Sequence, residues 1–228
     1  MLISGLAKSS LIDYPGLISC VLFVPGCNYN CFYCHNRSLI DGTHDVIETG
    51  VVEDFLKKRL GLLDGVVITG GEPTMQSDLI PYMEMIKNLG YKIKLDTNGS
   101  SPQIIEQILK TGLCDLFAVD YKAPSAKYKE ICGNNANAET VLNTIKILLE
   151  ARIDFEVRTT VIPQLTESDL KCMANELPII PRYVLNRYRP PVKFLPCDKD
   201  KIEKKPYTQS QIIEFVNTIR SIQPNTIT

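Results

Sequence analysis

The chain has 228 residues, 44% of them hydrophobic and 22% charged, with a formal net charge of -1. That balance excludes an acidic disordered chain and provides no overall basic field for nucleic acid. Its longest apolar runs, such as 17–25, are strand-sized and fall well short of the roughly 20 residues that cross a bilayer.

The N-terminus, Met1-Leu2-Ile3-Ser4-Gly5, lacks the basic and long apolar regions of a secretory signal, so a cytoplasmic protein with no membrane association is expected. Taken in order, Ser19-Cys20-Val21-Leu22-Phe23-Val24 reads as a buried strand closed by Pro25-Gly26. A helix follows over 48–60, with Val51, Val52, Phe55, Leu56 and Leu60 at helical spacing. A second strand, 65–69, ends in Gly70-Gly71, and a helix over 79–89 stops at Gly90. A third strand runs from Tyr91 into Asp96-Thr97-Asn98-Gly99. After a helix over 102–110, a fourth strand occupies 115–121. The remainder predicts a helix over 139–150, a strand over 153–162, a helix over 167–177, a strand over 183–188 and a last amphipathic helix over 209–222. The run 199–205 reads as a charged surface loop.

Strands alternating with helices predict right-handed parallel β-α units. The fold class expected is α/β, a partial (β/α)6 barrel of parallel strands, open on one side and formed as a single domain over residues 1–228. In such sheets the C-terminal ends of the strands gather on one face, where ligands bind. The polar motifs fall at those ends: cysteines after the first strand, Gly-Gly-Glu-Pro after the second, Asp-Thr-Asn-Gly after the third and Asp120-Tyr121-Lys122 closing the fourth.

The chain has eight cysteines, and in a reducing compartment they do not suggest a disulfide framework. Cys27, Cys31 and Cys34 are spaced C-x3-C-x2-C, and three thiolates in one short loop suit a small soft-metal centre. Structural zinc wants four ligands, and His35, immediately after Cys34, is poorly placed to be the fourth. A [4Fe–4S] cluster held by three cysteines instead leaves one iron open to a cofactor. Cys20, Cys114, Cys132, Cys172 and Cys197 lack short mutual spacing and read as small buried hydrophobes, leaving a single cluster.

Cys27-x3-Cys31-x2-Cys34, with Tyr33 before the last cysteine, resembles the radical S-adenosylmethionine superfamily. The stretch Lys8-Ser9-Ser10-Leu11-Ile12-Asp13-Tyr14-Pro15-Gly16 and the ending Cys34-His35-Asn36 resemble the long-form activating proteins of anaerobic ribonucleoside-triphosphate reductases. Those proteins are related to the pyruvate formate-lyase activating enzymes. The resemblance implies an oxidoreductase in which Cys27, Cys31 and Cys34 hold a [4Fe–4S] cluster. It also implies that one electron splits S-adenosylmethionine into methionine and a 5′-deoxyadenosyl radical.

By the same resemblance, Tyr33 and His35 lie near the adenine of the cofactor, and Gly70, Gly71 and Glu72 receive the methionine ammonium. Asp96, Thr97 and Asp120 can hold a monovalent cation together with the Ala118 carbonyl, and Lys122 pairs with the carboxylate or ribose. Arg158 is a candidate for the cofactor carboxylate, although strand alternation leaves its side open. Arg189 stands where the formate-lyase activators have histidine, so Arg189 or Tyr188 is the candidate for the ribose. The implied partners are a glycyl-radical enzyme, in the first place an anaerobic ribonucleotide reductase, and a flavodoxin or ferredoxin as electron donor. Two alternatives are a radical enzyme acting on a small molecule, of the deazapurine-ring synthase type, and a zinc-stabilised interaction module.

Overall fold

The structure is a computed structural model that describes residues 1–228, the Thr49 side chain excepted. The elements are β1 (Gly5–Ser10), β2 (Ser19–Val24), α1 (Arg37–Ile40), α2 (Thr49–Lys58), β3 (Gly65–Gly70), α3 (Leu79–Asn88), β4 (Lys92–Thr97), α4 (Pro102–Thr111) and β5 (Leu116–Asp120). They continue with α5 (Tyr128–Cys132), α6 (Ala138–Ala151), β6 (Phe155–Val161), α7 (Glu167–Glu176), β7 (Tyr183–Arg187), α8 (Lys199–Ile202), α9 (Gln209–Ile219) and β8 (Thr226–Ile227). Strand order follows chain order from β1 to β8, giving the open, mostly parallel α/β sheet of a partial barrel.

Each strand and helix of the expected alternation is present, with ends shifted by a few residues. Two strands were not expected. β1 pairs antiparallel with β2 and is polar and half-exposed, so Lys8-Ser9-Ser10 carries no buried-strand signal. β8 spans only two residues, too few for any periodicity to register.

Two compact units partition the chain. The first comprises Met1–Asn28, Ser38–Thr97 and Gln103–Ala118. The second comprises Tyr29–Arg37, Asn98–Pro102 and Val119–Thr228. In the first unit, β2, β3 and β4 are parallel and in register, and Val21, Leu22, Val66, Val67, Ile68, Ile93 and Leu95 are all buried. Continuous apolar runs of this kind belong to strands covered on both faces. The Asp13-Tyr14-Pro15-Gly16 turn is anchored there, because the Tyr14 ring packs with Val21 and Val67. A Cβ on Gly65 would meet that ring at 3.1 Å, which explains the absence of a side chain at the start of β3.

In the second unit, β6 pairs with β7 and β7 with β8, all parallel. The Thr159 hydroxyl lies 2.9 Å from the Tyr183 hydroxyl and donates to the Tyr121 carbonyl at 2.6 Å, tying the end of β5 to β6. Capping boxes at Thr166/Asp169 and Thr208/Gln211 start α7 and α9 by satisfying otherwise unpaired backbone donors. Part of the expected surface loop 199–205 is helical, since Ile202 is buried and folds the chain into α8.

Candidate active site

In the first unit, two glycine turns are zipped together. Gly71 N–H donates to the Val24 carbonyl at 2.8 Å, and Glu72 N–H donates to the Gly26 carbonyl at 2.7 Å. The approach is so close that a Cβ on Gly71 would lie 1.8 Å from the Gly26 oxygen. Gly70 adds a φ of +120°, a conformation that side-chain-bearing residues avoid. The Gly-Gly-Glu-Pro element therefore braces the Pro25-Gly26-Cys27 turn, and Cys27 itself is half-buried on that turn.

Glu72 is fully buried, unlike a glutamate in an ordinary surface turn. Its Oε1 accepts from Thr74 N–H at 3.1 Å, Thr74 Oγ1 at 2.6 Å and Thr97 Oγ1 at 2.7 Å. Glu72 and Thr97, from two separate motifs, are thus brought together. Asp96 pairs with Lys94 Nζ at 3.1 Å, and Lys94 also donates to the Asp13 carbonyl at 2.7 Å. Lys94 was not anticipated as a site residue. The signal was available, because residues two apart on a strand share a face and Lys94 therefore accompanies Asp96.

The second unit collects Cys31, Tyr33, Cys34, His35, Asp120, Lys122, Arg158 and Arg189. Asn30 N–H donates to the Cys132 carbonyl at 2.8 Å, and Arg37 Nη1 donates to Asn30 Oδ1 at 2.5 Å, fixing the start of the cysteine loop. A hydrogen bond from the Cys132 thiol lowers the Cys31 pKa against the opposing effect of burial, and the Lys122 charge adds to the lowering. Burial raises Cys34. Burial also lowers His35, whose ring bonds the Arg189 backbone.

Asp120 accepts from Lys122 Nζ at 2.9 Å and from Arg158 Nε at 3.0 Å. Burial alone would raise its carboxyl, but the two cations outweigh it and hold the group down to about 2. Burial would lower Lys122, yet the Asp120 charge leaves it well above the usual lysine value. Arg158 therefore faces Asp120, which resolves the side left open by strand alternation. Asp120, Lys122 and Arg158 together carry one net positive charge. Asp96, Thr97 and Asp120, the candidate cation ligands, all engage protein partners: Lys94, Glu72, and the Lys122–Arg158 pair respectively.

The Tyr33 and Tyr188 rings meet edge to face, with centroids 6.3 Å apart. Both hydroxyls are buried without a hydrogen-bond partner. Buried polar atoms are nearly always satisfied, so two such donors side by side suit a polar cofactor. None of the eight cysteines forms a disulfide, and the three thiols of the motif are soft ligands of the kind that suit an iron–sulfur cluster. Both observations fit such a cluster and an adenosyl cofactor. Of the scattered cysteines, Cys20 and Cys114 are buried as expected, and burial raises each to about 12. Cys172 and Cys197 depart from the expectation and are exposed, because they lie on surface helical turns.

Residues 21–177 match the family model described as the Radical SAM superfamily. A protein of Methanocaldococcus jannaschii named as a glycyl-radical enzyme activating enzyme is 32% identical, over 95% of this chain and 97% of its own length. The pyruvate formate-lyase-activating enzyme of Streptococcus mutans is 28% identical, over 73% of this chain and 69% of its own. Among solved structures, SuiB of Streptococcus suis bound to the precursor peptide SuiA is similar, with a TM-score of 0.68 and 17% identity. That match covers 90% of this chain and 47% of SuiB and establishes likeness of fold alone.

Proposed function

The chain belongs to the radical S-adenosylmethionine superfamily, and from that premise we propose that it activates an anaerobic ribonucleotide reductase. As a member of that superfamily it is an enzyme with a [4Fe–4S] cluster and S-adenosylmethionine as cofactors. When bound, these supply the one-electron reductive chemistry that yields a hydrogen-abstracting radical. The hydrogen comes from the Cα of one glycine in the partner, a residue whose missing side chain lets its backbone enter a close-fitting site. The observation that carries this reading is the similarity to a glycyl-radical activating enzyme along nearly the whole of both chains.

In this reading Cys27, Cys31 and Cys34 hold the cluster. The Gly70-Gly71 turn receives the ammonium of the cofactor, and Glu72 keeps that turn in shape through Thr74 and Thr97. The net positive charge of Lys122, Arg158 and Asp120 attracts the carboxylate, a charge-assisted contact strengthened by partial burial. The unpaired hydroxyls of Tyr33 and Tyr188 donate to the adenosyl part, next to His35 and Arg189. Among the described residues no helix is long and apolar enough to cross a membrane, and we place the protein in the cytoplasm with a flavodoxin or ferredoxin as electron donor.

The test is anaerobic incubation of the cluster-loaded protein with reductant, S-adenosylmethionine and candidate glycyl-radical enzymes, read by electron paramagnetic resonance. A glycyl doublet on a ribonucleotide reductase is expected. It should vanish with Cys31→Ala, which should also fail to retain iron. Cleavage of S-adenosylmethionine coupled instead to turnover of a small purine-like molecule, with no doublet on any protein, would overturn the reading.

A further inference from the structure

Cys132 ends α5 and is completely buried, and Cys31 is buried as well. Their backbones are held together, because Asn30 N–H donates to the Cys132 carbonyl at 2.8 Å. Gly133 seals the junction: its φ is +95°, and a Cβ there would meet Asn30 at 3.1 Å. The Tyr29 and Tyr128 rings pack edge to face on the same two segments, with centroids 6.3 Å apart. The Asn30–Cys132 bond sets Cys132 against the residue that precedes Cys31, and the Cys132 thiol lowers the Cys31 pKa as a neighbouring donor does. Cys132, outside the motif, thus has its backbone bonded beside a motif cysteine.

We propose that Cys132 is an oxidation partner for Cys31, and that in the cluster-free protein the two close a reversible disulfide that withholds Cys31 from iron. The pairing stands on the geometry of these two residues alone, whereas its effect on iron rests on Cys31 being a cluster ligand. The oxidant proposed is hydrogen peroxide. The Cys31 sulfur attacks hydrogen peroxide, so that an S–O bond forms, the O–O bond breaks and, with the thiol proton, one water leaves. The Cys132 sulfur then attacks the Cys31 sulfur, forming the S–S bond and expelling the second oxygen as water. Two thiols and one peroxide become one disulfide and two waters. A dithiol reverses the reaction by exchange. The disulfide would spare Cys31 from irreversible over-oxidation and keep the cluster from being rebuilt until reducing conditions return.

The experiment uses the full cluster-free chain, treated with equimolar hydrogen peroxide under native conditions and then alkylated. Cleavage after Tyr29 and Phe32 isolates Cys31 from the other motif cysteines, and mass spectrometry identifies its partner. A link from Cys31 to Cys132 is expected, together with loss of iron uptake on reconstitution that dithiothreitol restores. Cys132→Ser, treated in the same way, should instead carry Cys31 past the sulfenic level and lose iron uptake that dithiothreitol no longer restores. A Cys31 found linked to Cys27 or Cys34, or left as a thiol, overturns the proposal while leaving the cluster assignment intact. A Cys31–Cys132 link with undiminished iron uptake overturns the gating and also removes Cys31 from the cluster ligands.

Discussion

Glu72 and Asp120 are both carboxylates at the ends of strands, and the protein manages them in opposite ways. Glu72, after β3, is fully buried, with one backbone N–H and two hydroxyls converging on one of its oxygens. Asp120, closing β5, is partly exposed and clasped by two cations. Neutral donors in a dry site specify geometry, since each lost bond strands a buried partner. Cations at a wetter site set charge, and solvent limits how much the pair stabilises. The Glu72 region is therefore built as a brace and the Asp120 region as a patch of fixed net positive charge.

The brace should break hardest at Gly71→Ala. Its Cβ would collide with backbone rather than with a movable side chain, so no rotamer relieves it. A loss of ~3 kcal/mol is expected, and thermal denaturation of the apo protein should register it as a fall of roughly 10 °C in Tm. Glu72→Ala should follow. It leaves the Thr74 and Thr97 donors buried and unmatched, at a cost of about 2 kcal/mol measurable by urea unfolding. Restoration of stability by adding Thr97→Val to Glu72→Ala would sharpen the point, because it removes one stranded donor.

Asp120→Asn should disturb neutral-pH stability least, by at most ~1 kcal/mol given the solvation of the site. Its signature is instead in acid. The Asp120 carboxyl is depressed from 3.8 to about 2, so its contribution is complete above pH 3.8 and disappears as pH falls through about 2. Stability profiles of the parent and of Asp120→Asn should converge across that window. Parallel profiles would remove the cations from the account of Asp120. At neutral pH the same substitution raises the local net charge by one, so weakened binding of S-adenosylmethionine despite that gain would show that Asp120 orients Lys122 and Arg158 as well as charging the site.

The alternation of strands and helices was legible because each parallel strand needs an apolar run and each covering helix an apolar stripe. β1 escaped because an edge strand is exempt from that demand, and its residues are half-exposed. The cysteine spacing, the glycine pairs and Asp120-Tyr121-Lys122 were legible as local patterns of chemistry. Lys94 hid within ordinary strand alternation, and Arg158 could not be assigned a side until it was seen to meet Asp120.

The amino-acid order by itself determined which residue types stand at the end of each strand, because periodicity and short spacing are properties of neighbours along the chain. Tertiary structure alone decided that Thr97 serves Glu72, that Arg158 serves Asp120 and that the Cys132 carbonyl bonds Asn30 beside Cys31. Those partners are 25, 38 and about 100 residues apart along the chain, and only packing of separately formed elements brings such distant groups within bonding range.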